Sequence, residues 1–307
     1  MISQLIQELA GEYRYERSAG TGQFTTIHIL KSENGYSIAH LVSAETSHRI
    51  QRSADFLSQL KTTGQVNNRL IQVHRSGMTA GLLFWISPPF TSPIQTAQSR
   101  IDAGALLTDQ ETADVGSQVC TALSALHHVG SCHGGLTPAS VVLTEGGAWI
   151  TECGVYMALH KENIAAHQPP VALQTRYMSP EQQVSGQADE QADIYSLGAV
   201  LYELLTGKPP FGGRTTAMVM ASVLTSEAIF RPESEKQQPG RVVKAILRAI
   251  ERDPADRWSS MEHFAAALRA SPRDISTQNT SNPGSGCLNA VFPIAMGSFY
   301  TIYRTLS

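Results

Sequence analysis

The sequence predicts an α+β chain in which a small antiparallel sheet precedes a larger helical region. Three observations carry this. Apolar residues alternate, with breaks, from Tyr13 to Ile86. The run Ser87–Pro93 then places three prolines in seven residues. From Asp109 to Ala270 apolar residues recur at helical spacing instead. At 307 residues and 42% hydrophobic content, the chain buries a sizeable core as one bilobal domain or two small ones.

Residues 1–12 read as a short helix leading into the fold. Tyr13, Tyr15, Phe24, Ile27 and Ile29 are spaced as half-buried strands. Between them Gly20 and Gly22 make either an ordinary hairpin turn or a loop whose amides approach phosphates closely. Asn34-Gly35 is the next turn and Ser37–Val42 the next strand. Residues 46–61 place Ile50, Phe56, Leu57 and Leu60 on one helical face. Strands follow at Arg69–Val73 and Leu82–Ile86, and Ser87–Pro93 is a rigid connection.

Beyond the prolines, Asp109 caps a helix that repeats Val115, Val119, Leu123 and Leu126 as far as Val129. It delivers the chain to a loop at His133 and a buried strand ending at Leu143, with Trp149-Ile150 across a Gly146-Gly147 turn. Residues 156–176 are irregular. A buried helix spans 188–207 and is closed by Gly207, Pro209 and Pro210. Helices at 215–226 and 240–252 and a last one ending near Ala270 complete the helical region. Residues 271–286 have linker composition. The apolar tail 287–307 reads first as a partly structured tail and second as a weak membrane anchor.

With 23 basic and 26 acidic residues, the chain offers no basic patch for nucleic acid. Four cysteines without a C-x-x-C pair argue against a disulfide framework and for a reducing, cytoplasmic setting. Cys120, His127, His128, Cys132 and His133 match no closed zinc spacing. Met1-Ile2-Ser3-Gln4 lacks the basic start of a secretory signal.

The stretch His133-Gly134-Gly135-Leu136-Thr137-Pro138-Ala139-Ser140, followed by apolar Val141–Leu143, resembles a protein-kinase catalytic loop, H-R-D-L-K-P-x-N. Tyr177–Glu181, Asp193–Phe211 and Asp253–Trp258 extend the likeness to the C-lobe of bacterial eukaryotic-like serine/threonine protein kinases. The resemblance implies a bilobal kinase-like fold over 13–270, with N-lobe 13–87, hinge 87–93 and C-lobe 94–270. Residues 1–12 become an extension. It also implies that Glu181 pairs with Arg257, that Asp193 accepts amides of the central loop, and that His133 packs its frame. Gly198, Phe211 and Trp258 pack the helices.

The positions that do chemistry in the family are filled differently. Gly135 stands for the catalytic aspartate, Thr137 for the phosphate-steadying lysine and Ser140 for the metal-binding asparagine. Leu41 takes the phosphate-gripping lysine's place, with His40 on the strand's other face, and Ser53 falls near that lysine's glutamate partner. Gln174 replaces a threonine and Gly134 an arginine. Glu152, in Glu152-Cys153-Gly154, keeps a carboxylate at the metal position, and Gly20 and Gly22 remain for ATP phosphates. The expectation is a pseudokinase acting through protein partners, without a cofactor. Two alternatives keep ATP. One is a kinase using unorthodox residues, with Mg2+ at Glu152 and Ser140 and help from Glu145, His160 or Lys161. The other is an ATP-binding sensor without phosphoryl transfer.

Overall fold

The alternation in the first third of the chain produces a five-stranded antiparallel sheet, ordered β1-β2-β3-β5-β4. Its strands are β1 (Arg14–Thr21), β2 (Thr25–Ser32), β3 (Gly35–Val42), β4 (Arg75–Thr79) and β5 (Leu82–Ile86). The structure is a computed structural model, and it describes residues 2–9, 11–21, 25–42, 47, 61–153, 155–156, 175–226 and 240–269. The helix expected at 46–61 and the irregular segment at 156–176 lie almost entirely outside these residues. The linker and tail lie wholly outside them.

Each face of the sheet carries a buried apolar set, packed against a different partner. On the outer face Leu30, Ala39, Leu41, Leu82, Phe84 and Ile86 pack beneath Leu5 of the N-terminal helix α1 (Ile2–Glu8) and Leu9 just after it. Residues 1–12, expected as an extension, thus supply one wall of the core. On the inner face Ala19, Ile27, Ile29 and Ile38 meet Ile94, Ala139 and Val142 of the helical lobe. The period of two along each strand separates these sets.

The strand expected at Arg69–Val73 is not in the sheet, where β4 begins at Arg75. Its apolar residues are taken by the other lobe: Ile71 N–H donates to the Ile150 carbonyl at 2.8 Å, and Ile150 N–H to that of Arg69 at 3.0 Å. Alternation identifies an extended segment but not the sheet it joins. The proline run behaves as a hinge strapped to β3, because Tyr36 and Phe90 exchange both backbone hydrogen bonds, at 2.8 and 2.6 Å. Gly35 is needed there, since a Cβ would sit 2.0 Å from the Phe90 carbonyl.

The helical lobe carries a small sheet of β6 (Gln95–Thr96), β7 (Val141–Thr144) and β8 (Gly147–Ile150). Helix α2 (Ala97–Asp102) follows β6 and was not expected; a Thr96–Ser99 capping box starts it. Helix α3 (Asp109–His128) is capped by Thr108, not Asp109, because Thr108 and Glu111 form the reciprocal box. Helix α4 (Pro180–Ser185) begins under a Ser179 cap. The buried helix α5 (Glu190–Thr206) runs from an Asp189 cap to Gly207 at φ +72°. Helices α6 (Thr216–Thr225), α7 (Arg241–Ala249) and α8 (Met261–Arg269) complete the lobe. A Cβ on Gly198 would lie 2.8 Å from that of Ala249, so this glycine sets how closely α5 and α7 approach. No helix among the described residues is long and apolar enough to cross a membrane.

Arg257 ties the C-terminal part of this lobe together. It is 2% exposed, and every guanidinium N–H is used. Two go to Glu181 at 2.7 and 2.8 Å, and the rest to the carbonyls of Glu251, Gln191 and Arg252. Burial alone would raise the Glu181 pKa, but the hydrogen bonds and charge of Arg257 outweigh it and hold the carboxyl below the usual range. Removing one member leaves a buried charge unpaired. Glu181→Ala is expected to destabilise the fold by about 3–5 kcal/mol, read from urea unfolding midpoints.

Candidate functional site

The loop at His133 is held by one carboxylate. Asp193, in the first turn of α5 and wholly buried, accepts the N–H groups of His133 and Gly134, both at 2.8 Å. His127, from the end of α3, donates Nε2–H to the same carboxylate at 2.9 Å. Burial lowers the affinity of His127 for its proton, but the Asp193 hydrogen bond and charge more than offset this and its pKa is raised. His133 is buried, donates from Nε2 to the Thr151 carbonyl at 2.9 Å, and accepts the Gly135 N–H at Nδ1. That pairing is the neutral ring, and burial pushes its pKa down accordingly.

Within this frame the chemical positions are closed over. Gly135 carries no side chain and borders a narrow space lined by Thr137, Tyr177, Met178, Gln182 and Ser196. Thr137 is buried, and its hydroxyl has no partner. Ser140 turns inward: its hydroxyl accepts from Thr137 N–H and donates to the Thr137 carbonyl, both at 2.9 Å, capping the short 3-10 turn Pro138–Ser140. Gly134 is at φ +69°, and a Cβ there would lie 2.3 Å from the Tyr156 ring. The Tyr156 ring therefore fills the space into which a side chain at 134 would project. Tyr156 OH donates to the Gly186 carbonyl, and Gln182 Nε2 to that of Gly134 at 2.6 Å.

One expectation needs correcting. Leu41 does not face the site; it packs in the outer cluster under α1. His40 faces the site instead. The turn is Glu33-Asn34, since Ser32 pairs with Gly35, rather than Asn34-Gly35. A one-residue slip reverses every face of the following strand. Counting from the correct turn would have found His40.

Four buried side chains meet there. Thr25 and His40 come from the N-lobe, Thr151 and Glu152 from the C-lobe. His40 Nε2 lies 2.8 Å from Thr151 Oγ1, and His40 Nδ1 lies 3.2 Å from Thr25 Oγ1. The Thr25 hydroxyl donates to Glu152 Oε1, while Glu152 Oε2 is buried without a partner. Trp85 stacks on the His40 ring at 5.0 Å and 11°, fixing its plane. Glu152 sits at φ +63°, strained for a residue with a side chain. Burial pushes Glu152 up to about 7, against the opposing Thr25 hydrogen bond. Burial, with the charge of His28, pulls His40 down to about 3. Near neutrality His40 is therefore neutral, while Glu152 is close to its titration midpoint.

Between the lobes the described residues pack closely. The inner faces of the lobes join in one apolar cluster, and a Cβ on Gly20 would lie 3.1 Å from that of Ala139. Pro88 and Pro89 have no N–H, and those of Ser87 and Phe90 are bonded to β3, so residues 87–90 offer no free backbone donor. Among the described residues no three His, Cys, Asp or Glu side chains converge as a metal site. Of the other candidates, Glu145 is exposed on the β7–β8 turn. Gly22, Gln174, His160 and Lys161 lie outside the described residues.

The sequence profile described as "Protein kinase domain" matches residues 13–268. A probable serine/threonine-protein kinase PknB of Corynebacterium glutamicum is 33% identical over 169 residues, 53% of this chain and 26% of that protein. The serine/threonine-protein kinase PrkC of Bacillus subtilis is 25% identical over 270 residues, 86% of this chain and 41% of that protein. The chain thus spans a quarter to two fifths of the length of these relatives. The crystal structure of the Mycobacterium tuberculosis PknI kinase domain superposes with a TM-score of 0.54 at 22% identity, over 84% of this chain and 95% of that one.

The cluster has a defined pH signature. Glu152 binds its proton more tightly folded than unfolded, so its stabilising contribution is present below about 4.5 and is lost as pH rises to about 7. His40 works in the opposite sense, with stability present above about 6.5 and lost as pH falls towards about 3. Between about 4.5 and 6.5 the two slopes oppose each other. Glu152→Gln removes one of them. The stability difference between this variant and the native chain is expected to grow with pH across about 4.5–7 and to be flat on either side, read from urea midpoints at each pH.

Proposed function

Because the chain belongs to the protein kinase family, in its bacterial eukaryotic-like serine/threonine branch, we propose that it is a pseudokinase, a regulatory or protein-interaction module that does not transfer phosphate. One observation carries this reading: the places where the family holds nucleotide, metal and substrate hydroxyl are filled or closed by the chain's own side chains. Gly135 supplies no base, which removes a contribution on the order of 10²–10⁴-fold. Ser140 is spent on a turn, and His40 is a buried neutral ring where a phosphate would need a cation. The residues that remain, Asp193, His133, Glu181 and Arg257, all serve the lobe's architecture through the bonds described above.

The three described cysteines are buried free thiols whose pKa values are pushed up by burial. They suit the reducing, cytoplasmic setting that we propose. The relatives' names as serine/threonine-protein kinases favour a second reading, transfer of phosphate with unorthodox residues. It would depend on Glu152 for metal, and the Thr25 hydroxyl already occupies one oxygen of that carboxylate.

A thermal-shift titration with ATP, with and without Mg2+, separates the readings. The pseudokinase is expected to show no shift under either condition and no phosphate incorporation. A metal-independent shift supports a nucleotide sensor, and a Mg2+-dependent shift with Glu152-dependent labelling supports the kinase. Gly135→Asp alone is expected to remain inactive in the same labelling assay, because the lysine, asparagine and open cleft are still missing.

A further inference from the structure

We propose that Thr25, His40, Thr151 and Glu152 form a latch that holds the two lobes closed without nucleotide, taking over mechanically the place that ATP and metal occupy between the lobes of the family. The inference rests on the pseudokinase reading and concerns the conformation of that same cleft.

The geometry points to it in three ways. First, the bonds of the cluster cross between lobes. Thr25 on β2 reaches Glu152, and His40 on β3 reaches Thr151, over sequence separations of 127 and 111 residues. The Thr25 hydroxyl also lies against His40 Nδ1, so one hydroxyl joins both halves of the network. Second, the four side chains are at most 6% exposed, which makes each bond costly to break without a replacement partner. Third, the seam continues outward through groups that do not belong to the cluster. Thr96 donates its hydroxyl to the Ala19 carbonyl at 2.6 Å, and Arg17 Nη2 donates to the Ile94 carbonyl at 2.6 Å. The edge strand β1, which carries Gly20, is thus tied directly to the floor of the cleft, with Gly20 against Ala139. Apolar contact between Ile27, Ile38, Ala139 and Val142 fills the space beneath.

Glu152 suits this role better than a shorter acid. Its left-handed backbone aims the side chain up toward β2, and its length carries the carboxyl to the Thr25 hydroxyl. A closed seam of this kind presents one fixed relation between the lobes. A partner reading a surface that spans both lobes meets it preformed, with no nucleotide needed to order it.

The test is amide hydrogen exchange on the full chain. Thr25→Val keeps the shape of the side chain and removes the shared hydroxyl; Thr151→Val independently cuts the bond to His40. Either variant is expected to speed exchange roughly tenfold at the seam, in β1–β3 and in residues 138–152, while α5 exchanges as in the native chain. Unchanged α5 protection distinguishes opening of the cleft from general loss of stability. If both variants exchange at the seam as the native chain does, the latch is wrong. Phosphate incorporation by the native chain would instead overturn the pseudokinase reading and leave the latch to be judged by the exchange data alone.

Discussion

The Asp193 carboxylate is the constraint on which the rest of the structure depends. It is buried on α5, and its two oxygens are shared among the amides of His133 and Gly134 and the His127 ring. A buried carboxylate without such partners would be intolerable, and a loop without the carboxylate would leave its amides unsatisfied. Each side therefore compels the other. With the loop fixed, His133 can reach the Thr151 carbonyl, and that bond sets where the chain leaves β8 and where Glu152 begins. The position of the interlobe cluster is thus inherited from α5, the most buried of the described helices.

Function and framework have parted along a physical line. Bonds that serve folding are saturated: Arg257 uses every donor, and Asp193 gathers three. Groups that would have faced a substrate are small, apolar or turned inward. Ser140 caps a turn and Thr137 is buried. An active phosphotransferase keeps polar groups poised toward an open, charged cleft, which lowers stability. Here the described part of the cleft joins apolar contacts from both lobes to a small buried polar cluster.

Much of this was legible in the sequence. The longer C-lobe helices stand where their apolar periodicity and Gly207 place them, because long amphipathic repeats with punctuated ends leave few alternatives. The short helices Ala97–Asp102 and Pro180–Ser185 escaped this reading. The Glu181–Arg257 pair needed the family pattern, since 76 residues separate its members and no local signal joins them. The N-lobe was harder. Glu33-Asn34 and Asn34-Gly35 are both acceptable two-residue turns, and the choice between them exchanged Leu41 for His40. Arg69–Val73 reads as a strand of the sheet, but Leu70 and Ile71 pair with Ile150 of the opposite lobe. The partnership of Tyr156 with Gly134 had no sequence signal at all, because it arises only when the loop and the segment after β8 are brought together.

That partnership has a consequence for reversibility. A side chain at 134 must displace the Tyr156 ring, and any residue there must also accept a left-handed backbone. Reinstating the arginine that kinases carry is therefore blocked until Tyr156 shrinks. Shrinking Tyr156 first opens a cavity and abandons the Gly186 carbonyl. Each single step is unfavourable, and only the paired exchange conserves volume. A side chain at 134 is therefore reached only by concerted change at 134 and 156.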